Sequence, residues 1–256
     1  MIPIYSLEFR RKSIMKQISR LLPLILLITG CKIVSNNDLN MPYICITFDD
    51  EYQSVYNNAL PILNQYHFRA TNYINTGLLS TEGKYDWGEV IQLEHEYGWE
   101  TGGHTVHHIT MTNYDIHEVE KEIQDDWQAL RDHGVSNESF AIPAGTLAES
   151  HIPLILKYFN NIRTSNDLKL KKPIDPTYLG YFSYDSDFTP QDMIARIIRG
   201  VENNEDMIII GFHKIAVEDE GYGANCPPEE FNEIMKWIYE NNFRVVTVSE
   251  AIELLK

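Results

Sequence analysis

Cysteine is scarce in this chain, with three in 256 residues. Small folds framed by disulfides carry far denser, paired cysteines. Cys45 lies inside an apolar run, so pairing with Cys226 is not expected. Basic charge is also short: 21 Lys and Arg stand against 37 Asp and Glu, a formal net of −16. That balance argues against nucleic acid and anionic surfaces as partners of the bulk of the chain. It suits a neutral substrate whose product becomes cationic. No apolar run approaches the roughly 20 residues of a membrane-spanning helix. The run Leu21–Ile28 has eight. Neither an internal repeat nor a second composition regime is present, and the length fits one α/β domain.

What charge there is divides unevenly. Residues 1–30 hold five basic side chains against Glu8, a net of +4, which leaves −20 for the rest. Lys16 and Arg20 precede the apolar run, which leads into Ile28-Thr29-Gly30-Cys31. A basic start, a short apolar core and small residues before a cut describe a secretory signal. The Thr-Gly-Cys ending resembles a bacterial lipobox, which implies cleavage before Cys31, lipid on its sulfur and export to the cell envelope. Met15 makes a tidier start than Met1. Residues 31–40, with Ser35-Asn36-Asn37-Asp38, read as a polar tether. The folded domain is therefore expected over 41–256.

Within that domain apolar runs alternate with amphipathic segments about every 25–35 residues, the rhythm of βα units around a parallel sheet or barrel. Strands are expected near 44–48, 70–74, 99–103, 140–142, 161–164, 178–184, 207–212 and 243–248. Helices are expected over 87–97, 115–131, 150–159, 190–201, 228–240 and 249–255. Ser249 is the expected cap of the last one, and Pro61 interrupts a helical pattern at 55–66. The fold class is α/β.

Chemistry gathers where strands end. Ile44-Cys45-Ile46-Thr47-Phe48 runs into Asp49-Asp50-Glu51, and loops after strand C-termini carry function in such folds. One carboxylate can hold a cation while its neighbour takes a proton; alternatively, both simply cap the following helix. His104 and His108 lie four apart, and in a helical turn both rings project on one side. Two His and one carboxylate leave metal positions open for water and substrate. His107 faces elsewhere. A third apolar run, Met207–Phe212, delivers His213.

These three motifs together resemble the polysaccharide deacetylases, carbohydrate esterase family 4. Thr47-Phe48-Asp49-Asp50-Glu51 resembles that family's T-F-D-D-G, His104-Thr105-Val106-His107-His108 its H-[ST]-x-x-H, and Ile208–His213 its closing strand with a functional His. The resemblance implies an irregular (β/α) barrel of about seven parallel strands. It implies that Asp50, His104 and His108 hold one divalent metal, zinc by the family's habit, with cobalt or nickel as alternatives. It further implies Asp49 as the base acting on water, His213 as the acid on the leaving group, and a backbone N–H near Ala144 as oxyanion donor. The substrate it implies is an acetylated polysaccharide, N-acetylated before O-acetylated. An acetylxylan esterase, or a non-catalytic carbohydrate-binding lipoprotein on the same fold, remains open, and the oligomeric state is unspecified.

This chain also departs from the pattern. Glu51 replaces the usual Gly, so either the turn differs or a charge sits at the rim. The third motif, R-x-P-[aromatic]-G, reads Ala141-Ile142-Pro143-Ala144-Gly145, without its Arg or its aromatic. Arg163, at the end of the fifth strand, is the one Arg expected at the barrel rim and the candidate replacement, pairing with Asp49. The fourth motif's Asp has only Asp185 and Asp187 as candidates. Subsites are left to the loops 76–86 and 216–226.

Overall fold

The computed structural model describes residues 41–217 and 224–256. The expected signal segment, Cys31 and the expected tether lie outside these, as do residues 218–223 of the second loop. The described residues fall within one compact unit.

Seven parallel strands make the central sheet: β1 (Tyr43–Asp49), β2 (Thr71–Ile74), β3 (Glu100–Gly103), β4 (Ser139–Ala141), β5 (Asn161–Arg163), β6 (Phe182–Ser183) and β7 (Met207–Phe212). Their order is β5-β4-β3-β2-β1-β7-β6. The edges curl toward one another. Arg163 bridges Leu179, Thr164 N–H donates to Leu179 O at 2.8 Å, and Tyr181 N–H donates to Asn166 O at 2.8 Å. The result is an irregular (β/α) barrel. A two-stranded ribbon, β8 (Lys214–Ile215) with β9 (Asn225–Cys226), stands beyond β7. The helices are α1 (Leu60–Gln65), α2 (Trp87–His95), α3 (Ile116–Asp132), α4 (Ile152–Ile155), α5 (Pro190–Glu202), α6 (Pro228–Glu240) and α7 (Val248–Leu254). Among the described residues no helix is long and apolar enough to cross a membrane.

Alternation along the buried strands positions the site. On β1, Phe48 faces the helical layer, 5.4 Å from the stacked ring of Trp99 and 5.8 Å from Phe231 of α6. Cys45 points the other way, into a cluster with Ile209, Leu179 and Tyr181. Asp49 follows Cys45 and Thr47 on that inner face. The helices begin at side-chain caps: Asp86 and Asp115 each accept the backbone N–H three residues on and are answered by Glu89 and Glu118.

Several expectations fail locally. The final strand over 243–248 shrinks to one bridge, Ile44 with Val245. From Thr47 onward that edge of β1 belongs to β2, which leaves room for no more. Thr247, not Ser249, caps α7, accepting Glu250 N–H. Ser249 is occupied instead, its hydroxyl and N–H both given to the Glu100 carboxylate. The expected sixth strand over 178–184 is only Phe182–Ser183, because Leu179 and Tyr181 bond back to the β5 edge. The helix expected over 150–159 is the single turn α4. Around Pro61, a π-helical stretch, Val55–Ala59, precedes α1, whose first turn takes the proline.

Candidate active site

At the C-terminal end of β1 the chain turns through two consecutive left-handed residues, Asp50 (φ 72°) and Glu51 (φ 41°). Such conformations are costly for non-glycine residues and persist where surroundings over-determine them. Here Asp50 N–H stays bonded to Tyr73 O at 3.1 Å, so the turn is pinned to β2. The reversal sends the two aspartates to different partners. Asp49 Oδ2 lies 2.6 Å from Arg163 Nη2 and 3.8 Å from His213 Nε2. Asp50 Oδ1 lies 3.4 Å from His108 Nε2 and 3.7 Å from His104 Nε2.

His104 and His108 converge, but not through a helical turn. Residues 104–108 are a loop with Thr105 (φ 65°) and His108 (φ 54°) left-handed. Its shape is held from outside. Asn75 Nδ2 donates to His104 O (2.5 Å) and Thr105 O (3.1 Å), Thr105 Oγ1 accepts Ile109 N–H (3.2 Å), and Asp126 Oδ2 on α3 accepts His104 N–H (3.0 Å). Asn75 is itself fixed by its N–H to Glu51 Oε2 at 2.6 Å. Asp126 Oδ1 takes the Thr76 hydroxyl at 2.7 Å. Glu51 therefore keeps the left-handed turn a glycine would make, and its charge is buried rather than at the rim. Lys84 sits 3.3 Å from it and also donates to Asp50 O. Burial, only partly offset by Lys84 and Asn75, pushes the Glu51 carboxyl up to about 7. Burial likewise pushes Asp126 up to about 7 against its three hydrogen bonds. None of Glu51's burial, Asn75, Asp126 or Lys84 was foreseeable from motif spacing. They lie on four segments with no shared pattern.

The donor chemistry fits a metal. One atom from each of Asp50, His104 and His108 lies within 4.8 Å of the others. His104 Nδ1 is 2.9 Å from Ala141 O, which fixes the tautomer with the proton on Nδ1 and leaves the Nε2 lone pair facing Asp50. Burial, outweighing the nearby carboxylates, lowers the His104 pKa to about 4, so the ring is neutral. Burial works against Asp50 as well, but the imidazoles of His104, His213 and His108 and then Lys84 reverse it and lower its pKa.

Beside this set is an open hollow of about 320 Å³, lined by Asp49, His104, His108, Ala144, Arg163 and His213, with Tyr181 at its wall. Asp49 lines this hollow, and its Oδ1 is buried without a hydrogen-bond partner. Ala144 lies in the Pro143–Gly145 turn with φ 51°. Arg163 pairs in register with Ala141 on the neighbouring strand. The position where the resemblance implied an Arg is thus one strand away from the Arg this chain uses. His107 is outside the site, exposed and 2.7 Å from Glu122. Asp185 and Asp187 are exposed in a turn closed by Phe188 N–H to Asp185 O.

Residues 36–158 match the family model for polysaccharide deacetylase. No curated protein matches the chain. Among solved structures, a family 4 acetyl xylan esterase from Clostridium thermocellum, in complex with cobalt, is 20% identical. It matches over 83% of this chain and 91% of its own, with a TM-score of 0.58. A peptidoglycan deacetylase from Bacillus subtilis, as its D285S mutant, is 19% identical over 85% and 93%, with a TM-score of 0.56. A family pseudoenzyme with restored activity is 15% identical over 83% and 68%, with a TM-score of 0.59. The motif-bearing segment 36–158 thus matches the polysaccharide deacetylases, and the chain shares its barrel fold with these solved structures.

Proposed function

We propose that this protein removes acetyl groups from N-acetylated polysaccharide at the bacterial cell envelope, held there by lipid on Cys31. The observation that carries the reading is the convergence, at one hollow, of the Asp50, His104 and His108 set with an arginine-held Asp49 and with His213. Asp50, His104 and His108 would hold a divalent cation, zinc before cobalt or nickel, which would supply Lewis acidity toward an acyl carbonyl and a water. Asp49, whose Oδ1 has no hydrogen-bond partner, accepts a proton from that water. Arg163 fixes the other oxygen, so the carboxylate keeps one orientation through the reaction. His213, on the same side as Asp49, donates a proton to the departing amine or sugar oxygen. The N–H of Ala144 is the oxyanion donor from the protein.

The same residues serve an acetyl ester, and one relative is an acetyl xylan esterase. A non-catalytic reading is also available on this fold, since one relative is a pseudoenzyme. Against it stands the full set of five polar side chains here.

The test is metal content by elemental analysis beside acetate release from chitin oligomers, peptidoglycan, poly-N-acetylglucosamine and acetylated xylan. Wild type is expected to hold one metal per chain and release acetate. Asp50→Ala should lose the metal. Asp49→Asn should keep it while the rate falls by about 10²–10⁴-fold. Metal retained in Asp50→Ala and lost in Asp49→Asn reverses the two roles. No acetate from any substrate refutes the deacetylase reading.

A further inference from the structure

Arg163 starts four strands from Asp49 in the sheet order, so its guanidinium must cross the barrel interior to reach the carboxylate. What holds it in transit is aromatic. The guanidinium carbon lies 3.9 Å from the ring centroid of Tyr181 and 4.9 Å from that of Tyr73. Arg163 Nε is buried without a hydrogen-bond partner, so the electron-rich ring faces stand where acceptors would usually be. Planar guanidinium stacks well on such faces.

Tyr181 reaches this position because of a missing side chain. A Cβ at Gly211 on β7 would lie 2.0 Å from Tyr181 Cε2 and 2.5 Å from its Cδ2. The ring therefore occupies the volume that any residue but glycine would fill. Its backbone is tied to the β5 side, with Tyr181 N–H on Asn166 O. The ring thus leans from one edge of the barrel into a slot on β7, and the guanidinium lies against it.

We infer that Tyr181 is a positioning residue. Seated in the slot opened by Gly211, it aligns Arg163 on Asp49 and so fixes the carboxylate of the proposed base. The kinetic part of this inference rests on the deacetylase reading above; the structural part does not.

The experiment uses the full chain with Tyr181→Phe, Tyr181→Leu and Gly211→Ala, with folding checked by thermal melts. The first readout is nitrogen-15 NMR of the arginine side chains, with Arg163 assigned by its loss in Arg163→Lys. Wild type should show a slowly exchanging Arg163 guanidinium signal shifted by the ring current. Tyr181→Phe should retain it, and Tyr181→Leu should lose it. Gly211→Ala, which displaces the ring from the opposite side, should lose it too and serves if Tyr181→Leu does not fold. The second readout is the split between kcat and KM. The leucine and alanine variants should lose roughly 10²-fold in kcat, the effect of misplacing a reacting group by about 1 Å, with KM nearly unchanged. Tyr181→Phe should stay near wild type. A guanidinium signal that persists in both Tyr181→Leu and Gly211→Ala overturns the inference, and so does a loss expressed in KM alone. If wild type releases no acetate, the NMR readout still decides the seat, and it is the deacetylase reading that fails.

Discussion

Replacing Arg163 by Met should be among the most damaging single changes in this domain. Its side chain is 2% exposed and that of Asp49 5%, with 2.6 Å between them. Removing one partner of a buried pair leaves an uncompensated charge, at a cost of about 3–5 kcal/mol. In a domain of this size each kcal/mol moves the melting temperature by about 2–4 °C, so a fall of roughly 10 °C is expected. Asp49→Asn alone should also destabilise, because the guanidinium is then the stranded charge. The double variant removes both charges and should lose much less than the sum, with a coupling of about 2–3 kcal/mol. The assay is urea unfolding of the metal-free wild type, both single variants and the double. Because the pair is buried, the coupling should survive a rise in salt that would screen an exposed pair. A cost under about 1 kcal/mol for Arg163→Met, as for surface ion pairs, or additive variants, would refute the reasoning.

Glu51, with its folded pKa raised to about 7 from an ordinary 4.5, binds more protons folded than unfolded between those values. Its contribution to stability is therefore present at low pH and lost as pH rises toward 7. Metal-free Glu51→Gln should gain on wild type as pH goes from 5 to 7.5, by up to about 3 kcal/mol; a gap that stays flat with pH contradicts this. Gly103→Ala would place a Cβ 2.5 Å from both Asp126 Oδ2 and the Phe159 ring. Overpacking of that kind costs about 1–3 kcal/mol and should weaken metal binding through the His104 loop, which titration of the metal-free variant with zinc would show; wild-type affinity would count against it. Cys31→Ser should leave the protein unprocessed or move it out of the membrane fraction. Normal processing together with unchanged membrane association in that variant would remove the lipid anchor from the proposal.

The sequence by itself determined the βα rhythm and the placing of carboxylates and histidines where apolar strands end. Both are local properties: a β-branched run such as Ile44–Thr47 specifies a buried strand, and the residues just past its end stand at the barrel's mouth. Arg163 could be named from the same logic, as the Arg at a strand end. Its reach could not, because the span from β5 to Asp49 depends on the sheet curling so that its edges meet at Leu179. Spacing put His104 and His108 together for the wrong reason. The helical turn is replaced by two left-handed residues, which no glycine announces and which Asn75, Glu51 and Asp126 impose from three other segments. For Glu51 the sequence left open a different turn or a rim charge; the left-handed turn is kept, and the packing against the loop after β2 buries the carboxyl. Gly211 read as one residue of an apolar strand, and the tertiary structure makes it a slot for a ring thirty residues earlier. Strand periodicity is written residue by residue, whereas which side chain fills which gap is settled only when distant segments compete for the same interior volume.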